Sequence, residues 1–373
     1  MTNKITFLIA DLNLRGGGER VTVNLANALH THFGFETTII SIQPLENELP
    51  YPPHPTVSVE SLDIDLHKKG IFNKFFSKIR SIIQVRTSIG DESTDVILGI
   101  GTYPSILLRF VRRSCSVRIA CEHISLTAPS WYWSLLRRLS YPGLDGVVFL
   151  TERDLDRGKV LNRNRVVIPN ARPFSTDTMA DMESHQILSI GRLDPVKGFD
   201  KLITVFSHIV KECPEWSLSI VGEGGLRDKL QSQISKLGLE HSVTIHPPTS
   251  EIINHYLSSS IYAMTSHFEG FPMVLLEAQT CGIPTVSYNC PTGPEEIILD
   301  GRTGYLVSPG NESELARKLI KLMRDPTLRK QMSRESRKRS EHFSEERICK
   351  IWNKLLNQYI SLTNDPVFDL PVE

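Results

Sequence analysis

The stretch Thr265–Pro284, TSHFEGFPMVLLEAQTCGIP, decides the reading of this chain. It continues from IYAM, an apolar run that closes on small polar residues and so predicts a buried strand end. Gly270 permits backbone angles that other residues resist, and Pro272 suits the first position of a helix, where its missing N–H costs nothing. MVLLEAQTC then continues as a helix with Val274, Leu275 and Ala278 available for packing. The N–H groups of Gly270, Phe271, Met273 and Val274 would open the positive end of that helix, a ready place for a diphosphate. Glu269 precedes the helix, and Glu277 lies eight positions further on. Carboxylates so placed can accept hydrogen bonds from hydroxyls on either side of the diphosphate. A nucleotide sugar has that layout: ribose, two phosphates, hexose. The plain alternative makes Glu277 a solvated helix residue and Glu269 a partner of the helix dipole.

The phrase E-G-F-P-x-x-x-x-E, followed by C-G-x-P, resembles the E-x7-E motif of retaining glycosyltransferases of family 4, which have the GT-B fold. The resemblance implies an α/β protein of two doubly wound Rossmann-like domains facing a cleft. It also implies that Glu269 holds the donor sugar's hydroxyls and Glu277 the ribose.

Bulk composition agrees with a soluble two-domain protein: 373 residues, of which 23% are charged and 40% hydrophobic. No apolar run approaches the roughly 18 residues that span a bilayer. MTNKITFLIADLNL reads as a first strand rather than a secretory signal. The six cysteines form no C-x-x-C pair, which suits reduced thiols and a cytoplasmic location. Net charge is zero but unevenly spread: residues 1–172 hold 21 Lys and Arg against 16 Asp and Glu. Six of those bases and no acid fall between Asp65 and Asp91, a local basic face that concerns partners rather than fold.

In the first half, KITFLIADLNL predicts a buried strand, followed by a glycine-rich turn into a helix carrying Val21, Leu25, Ala28 and Leu29 on one face. As a dinucleotide fingerprint the turn fails, because Val21 stands where the third glycine belongs. Gly16, Gly17, Glu19 and Arg20 match a GG-x-ER turn that, in the resembling family, lies against donor phosphates and acceptor. FETTIISI predicts the second strand, and Pro44 to Pro55 a loop. HKKGIFNKFFSKIRSIIQV carries Phe72, Phe75, Phe76, Ile79, Ile82 and Ile83 at helical spacing, with Lys74, Lys78 and Arg80 among them. Such a helix either lies on an anionic membrane surface, or packs its apolar stripe on the sheet with its charges solvated. SVRIACEHIS ends a strand at Glu122 and His123, and a histidine past a strand's carboxyl end sits where ligands bind in a parallel α/β sheet. In the resembling family a histidine at a strand end contacts donor sugar or acceptor. Trp131 and Trp133, close to Arg137 and Arg138, fit sugar stacking, a membrane interface, or plain core packing.

VVIPNARPF reads as the linker between domains, and the strand–loop–helix pattern then restarts. Arg192 and Lys197 lie in the loop G-R-L-x-x-x-K-G, one turn before a helix, where two cations suit a pyrophosphate. That phrase matches the family's donor loop, which implies both as diphosphate ligands. The turn His246-Pro247-Pro248 departs from the family's phenylalanine–leucine–glycine type, and it marks the region where the nucleotide base is expected.

The expected division is an acceptor domain over 1–172, a donor domain over 173–344, and a last helix at about 345–373 that packs back on the first. No D-x-D metal motif stands in a suitable position; Asp63-Ile64-Asp65 matches the letters but lies in the loop-rich first half. The resemblance therefore implies metal-independent transfer with no cofactor beyond a UDP-sugar as co-substrate. The acceptor it implies is a glycan, favoured as a polyprenyl-diphosphate-linked oligosaccharide, with a soluble acceptor as the alternative. An anionic membrane surface is the further expected partner, at the inner face of the cell membrane, and no nucleic acid is expected. A non-catalytic nucleotide-sugar-binding protein is the other reading; Glu269 and His123, both present, count against it.

Overall fold

The computed structural model describes residues 3–66, 71–89, 94–111, 116–127 and 130–364, with the side chains of 71–75 and 362–364 outside that description. The chain divides into two compact units, Met1–Ala171 with Glu345–Glu373, and Arg172–Ser344.

The first unit is built on seven strands: β1 (Lys4–Ile9), β2 (Glu36–Ser41), β3 (Ser58–Ser61), β4 (Val96–Ile100), β5 (Val117–Cys121), β6 (Gly146–Phe149) and β7 (Arg165–Val167). All pair in parallel, in the order β3-β2-β1-β4-β5-β6-β7. The central strands are unbroken apolar runs: VILGI of β4 and GVVF of β6 are buried at every position. That pattern is what a sheet covered by helices on both faces requires, since neither face meets water. β3 and β7 depart from the sequence reading. SVES alternates between exposed and half-buried residues and is held as an edge strand by its register against Thr38–Ser41. Arg165–Val167, assigned in part to the linker, pairs with β6 instead.

The helix Ile71–Gln84 sets its core face differently from the expected apolar stripe. Ser77 and Ser81 are buried, whereas Phe76, Ile79 and Ile83 are exposed, and Ile82 is half-buried against the core. Phe72 and Phe75 lie outside the described side chains. The last helix, Glu345–Asn364, belongs to the first unit. Its Ile348, Trp352, Leu356 and Ile360, four residues apart, fall on one face and share a core with β1, β4 and β5.

The second unit carries β8 (Gln186–Ile190), β9 (Ser217–Val221), β10 (Val243–His246), β11 (Ile261–Met264), β12 (Thr285–Tyr288) and β13 (Gly304–Val307). Their order is β10-β9-β8-β11-β12-β13, all parallel. In each unit the first strand lies centrally, and the order reverses beside it, at β1/β4 and at β8/β11. Loops leaving the carboxyl ends on either side of that reversal diverge, which makes the crevice where such sheets bind ligands. No helix among the described residues is long and apolar enough to cross a membrane.

Candidate functional site

In the second unit the loops after β8 and β11 are tied together at the point of reversal. Asp194 closes the loop after β8 by accepting from the N–H groups of Val196 (3.0 Å) and Lys197 (3.3 Å). Thr265 Oγ1 donates to the carbonyls of Lys197 (3.1 Å) and Gly198 (3.0 Å), and the His267 N–H donates to the Val196 carbonyl at 2.8 Å. Gly198 is required there: its φ is +64°, and an added Cβ would lie 2.5 Å from the Thr265 carbonyl oxygen.

This seam brings Lys197 and Glu269 into contact, Nζ to Oε1 at 2.7 Å, with side chains 18% and 12% exposed. Thr292 Oγ1, fully buried, donates to the Glu269 carbonyl at 2.6 Å and fixes the backbone that carries the carboxylate. Arg192 stands more openly: its guanidinium reaches Asp194 at 3.2 Å while its side chain is 80% exposed. The loop then enters the helix Met273–Thr280 at Pro272, which offers no side-chain cap. Among the described residues no protein acceptor meets the N–H groups of Gly270, Phe271, Met273 and Val274. The Phe271 ring is used in packing, edge-on to Phe343 at 6.0 Å, which leaves its backbone as the part available to a ligand.

Glu277 lies about one turn along the same helix and is 6% exposed. Tyr256 donates to its Oε2 at 2.7 Å, so the carboxylate is set by a neighbour rather than solvated. His246 ends β10 and Pro247 follows it, two strands from β8 on the side of the reversal away from β11. The His246 ring is 5.1 Å from that of His255. Burial, aided by the charges of His255 and Arg227, lowers its pKa from the ordinary value.

In the first unit Gly16 caps the helix Gly17–Phe33 just after β1. The Glu19 carboxylate folds back so closely that a Cβ on Gly16 would lie 2.2 Å from Glu19 Oε2. Burial, with the Asp11 carboxylate nearby, raises the Glu19 pKa. Beyond β5, Glu122 is buried and accepts from Arg137 Nε at 2.9 Å, from Thr102 Oγ1 at 3.0 Å, and from the Tyr141 hydroxyl. His123 follows it, half-buried; burial lowers its pKa to about 4 and keeps the imidazole neutral near pH 7.

Arg137 corrects the sequence reading. It was placed with Arg138 as an acceptor or membrane contact, but it is 3% exposed and neutralises Glu122. Neighbouring helix positions point about 100° apart, so one of the pair faces inward while Arg138 stays exposed. Trp133 is half-buried, edge-on to Tyr103 at 6.3 Å, and Trp131 is 79% exposed. Lys78 reaches over the Trp133 ring at 6.0 Å and links the helix Ile71–Gln84 to the helix Trp131–Ser140. Together these two helices expose Phe76, Ile79, Ile83, Trp131, Leu135 and Leu139, bordered by exposed Lys78, Arg80, Arg86 and Arg138. The Lys74 side chain lies outside the described residues.

Residues 174–339 match the family described as Glycosyl transferases group 1. That match falls within the second unit, Arg172–Ser344. The chain is 29% identical to an uncharacterized glycosyltransferase of Haemophilus influenzae, with 95% of this chain and 99% of the relative covered. It is 29% identical to the amylovoran biosynthesis glycosyltransferase AmsD of Erwinia amylovora, over 95% and 99% of the two chains. A Campylobacter jejuni alpha-1,4-N-acetyl-D-galactosaminyltransferase, named for a substrate on PP-undecaprenol, is 27% identical over 95% and 98%. Among solved structures, sucrose-phosphate synthase of Thermosynechococcus elongatus superposes with a TM-score of 0.82 at 16% identity, over 96% and 99%. S. aureus TarM in complex with UDP superposes at 0.80 and 15% identity, over 95% and 100%. At these identities the likeness speaks for the fold, which is GT-B.

The sequence reading passed over Tyr256, Thr102 and Tyr141, and it gave Thr265, Thr292 and Glu122 no role of their own. No local signal marks them; each matters through a residue far along the chain.

Proposed function

We propose that this chain is a retaining glycosyltransferase that moves a hexose or N-acetylhexosamine from a UDP-sugar to a glycan acceptor. The observation that carries the reading is the Lys197–Glu269 pair across the β8/β11 reversal, beside an uncapped helix opening. A cation, a carboxylate and unpartnered N–H groups within one crevice are the set that a sugar diphosphate needs.

In the reaction, the bond between the anomeric carbon and the diphosphate oxygen breaks, and its electron pair stays on the diphosphate. Lys197, Arg192 and the N–H groups of Gly270–Val274 stabilise that growing charge. The acceptor hydroxyl oxygen bonds to the anomeric carbon on the same face, and its proton passes to the departing diphosphate. Glu269 holds the donor sugar's hydroxyls, Glu277 the ribose, and the turn at His246 and Pro247 the base. Gly16 and Gly17, which lack side chains, are the first unit's candidates for a backbone contact to the donor. A neutral His123 suits a hydrogen bond to a sugar hydroxyl. Side chains and backbone supply the charge stabilisation, so the reading calls for no resident metal or cofactor.

The acceptor we favour is a polyprenyl-diphosphate-linked oligosaccharide, with the enzyme peripheral at the inner face of the cell membrane. The likeness to enzymes named for amylovoran biosynthesis and for a PP-undecaprenol substrate supports this. So does the exposed apolar face of the first unit with its basic border, which complements an anionic lipid surface. The test is calorimetric titration of the purified chain with UDP, GDP and ADP in EDTA. Selective binding of UDP is the expected result. Binding of none of the three would remove the donor site and the function with it.

A further inference from the structure

Glu277 is a buried carboxylate, and a carboxylate in that position needs donors to hold it. The Tyr256 hydroxyl supplies one at 2.7 Å, with the Val274 carbonyl as a weaker second acceptor at 3.4 Å. Tyr256 is itself rigid. It is fully buried on the helix Ile252–Leu257, and its ring stacks on that of Tyr262 at 6.0 Å and 26°. Tyr262 is pinned in turn to the end of β8, where its hydroxyl accepts from the Ile190 N–H at 3.2 Å and donates to the Ile190 carbonyl at 3.3 Å. An unbroken chain of contacts therefore runs from the strand that begins the donor loop to one oxygen of Glu277. Burial, then the nearby carboxylate, push the Tyr256 phenol well above its ordinary pKa, so it stays a donor at neutral pH.

We infer that Tyr256 is a positioning residue for ribose recognition: it fixes the Glu277 carboxylate so that the site reads the hydroxyls of the donor's ribose. The inference rests on Glu277 being the ribose ligand, as proposed above. A freely rotating carboxylate would have to be ordered at each binding event, whereas one held by a rigid phenol meets a diol already aimed. The phenol takes one oxygen and touches no ligand itself. Its effect is therefore confined to ligands that carry ribose hydroxyls.

The test is calorimetric titration of UDP and of 2′,3′-dideoxy-UDP into the wild-type chain, Tyr256→Phe, Glu277→Gln and the double variant. Wild type should prefer UDP. Tyr256→Phe should weaken UDP about five- to tenfold and leave the dideoxy compound within twofold, the range expected for one lost hydrogen bond. In the Glu277→Gln background the same change should add little, because the carboxylate it orients is gone. Equal weakening of both ligands, or of neither, would make Tyr256 a packing residue and overturn the inference while leaving the ribose assignment standing. A wild type that binds both ligands equally would overturn the ribose assignment itself, and this inference with it.

Discussion

Lys197→Met removes the ammonium that stands 2.7 Å from Glu269. A cation about 4 Å from a phosphate charge contributes on the order of 4 kcal/mol at an effective dielectric of about 20. Part of that is not gained on binding, because Lys197 already has Glu269 as a partner and must share itself between carboxylate and phosphate. Taking about half leaves roughly 2 kcal/mol, or about thirtyfold weaker UDP binding by calorimetry in EDTA. Both side chains are only partly buried, so the fold should lose no more than about 1 kcal/mol in denaturant unfolding. Glu269→Gln should act in the opposite sense on binding: with Lys197 released, UDP binds as tightly as before or a few-fold tighter. Sugar transfer should nonetheless fall by about a hundredfold or more, because the carboxylate that holds the sugar's hydroxyls is missing. The reasoning is refuted if Lys197→Met binds UDP within twofold of wild type, or if both variants lose UDP in parallel.

Two further outcomes are expected. Burial holds the folded His123 near 4 against an ordinary 6.5, so as pH falls the unfolded chain takes up a proton first; the neutral ring's contribution is complete above about 6.5 and is lost towards 4. Between pH 7 and 5 this amounts to about 1 to 2 kcal/mol for a fully shielded ring and less for a half-exposed one, so His123→Phe should lose that part of the pH dependence in denaturant unfolding; identical slopes for variant and wild type would refute it. Trp131→Ser combined with Leu139→Ser should lower partitioning onto phosphatidylglycerol vesicles about tenfold or more, and Lys78→Glu should lower it at low salt only. Unchanged partitioning would mean that the exposed face serves something other than lipid.

The sheets were legible because their central strands announce themselves. VILGI, GVVF and IYAM are apolar without alternation, which a strand buried on both faces requires and a half-exposed strand forbids. SVES was not legible, because an edge strand with polar residues on both faces is specified by its partner, not by its own composition. The loop carrying Arg192 and Lys197 could be read for its charges, and the structure adds that Lys197 meets Glu269 while Arg192 stays open. Tyr256 could not be read at all. An aromatic in a short helix looks like core, and nothing within the sequence window says that its hydroxyl reaches a carboxylate 21 positions away. Arg137 and Arg138 show the same limit, since adjacent identical residues took opposite faces once Glu122 required a cation. In the helix Ile71–Gln84 the periodicity located an apolar stripe, but the buried positions include the two small serines, Ser77 and Ser81, which no apolar pattern marks.

The return of the last helix to the first unit has a consequence for how the protein is made. The second unit is a continuous segment and can close as soon as Ser344 has left the ribosome. The first unit has all its strands far earlier, yet Trp352, Leu356 and Ile360, which complete its core, arrive 181 or more residues after Ala171. At about 5 to 20 residues per second that is a wait of roughly 10 to 35 seconds. During it the part of that core that the last helix closes stays open on the nascent chain, with the helix Gly17–Phe33 packed there. The half made first is thus the half finished last, and in a cell it is the half that a chaperone has most time to find.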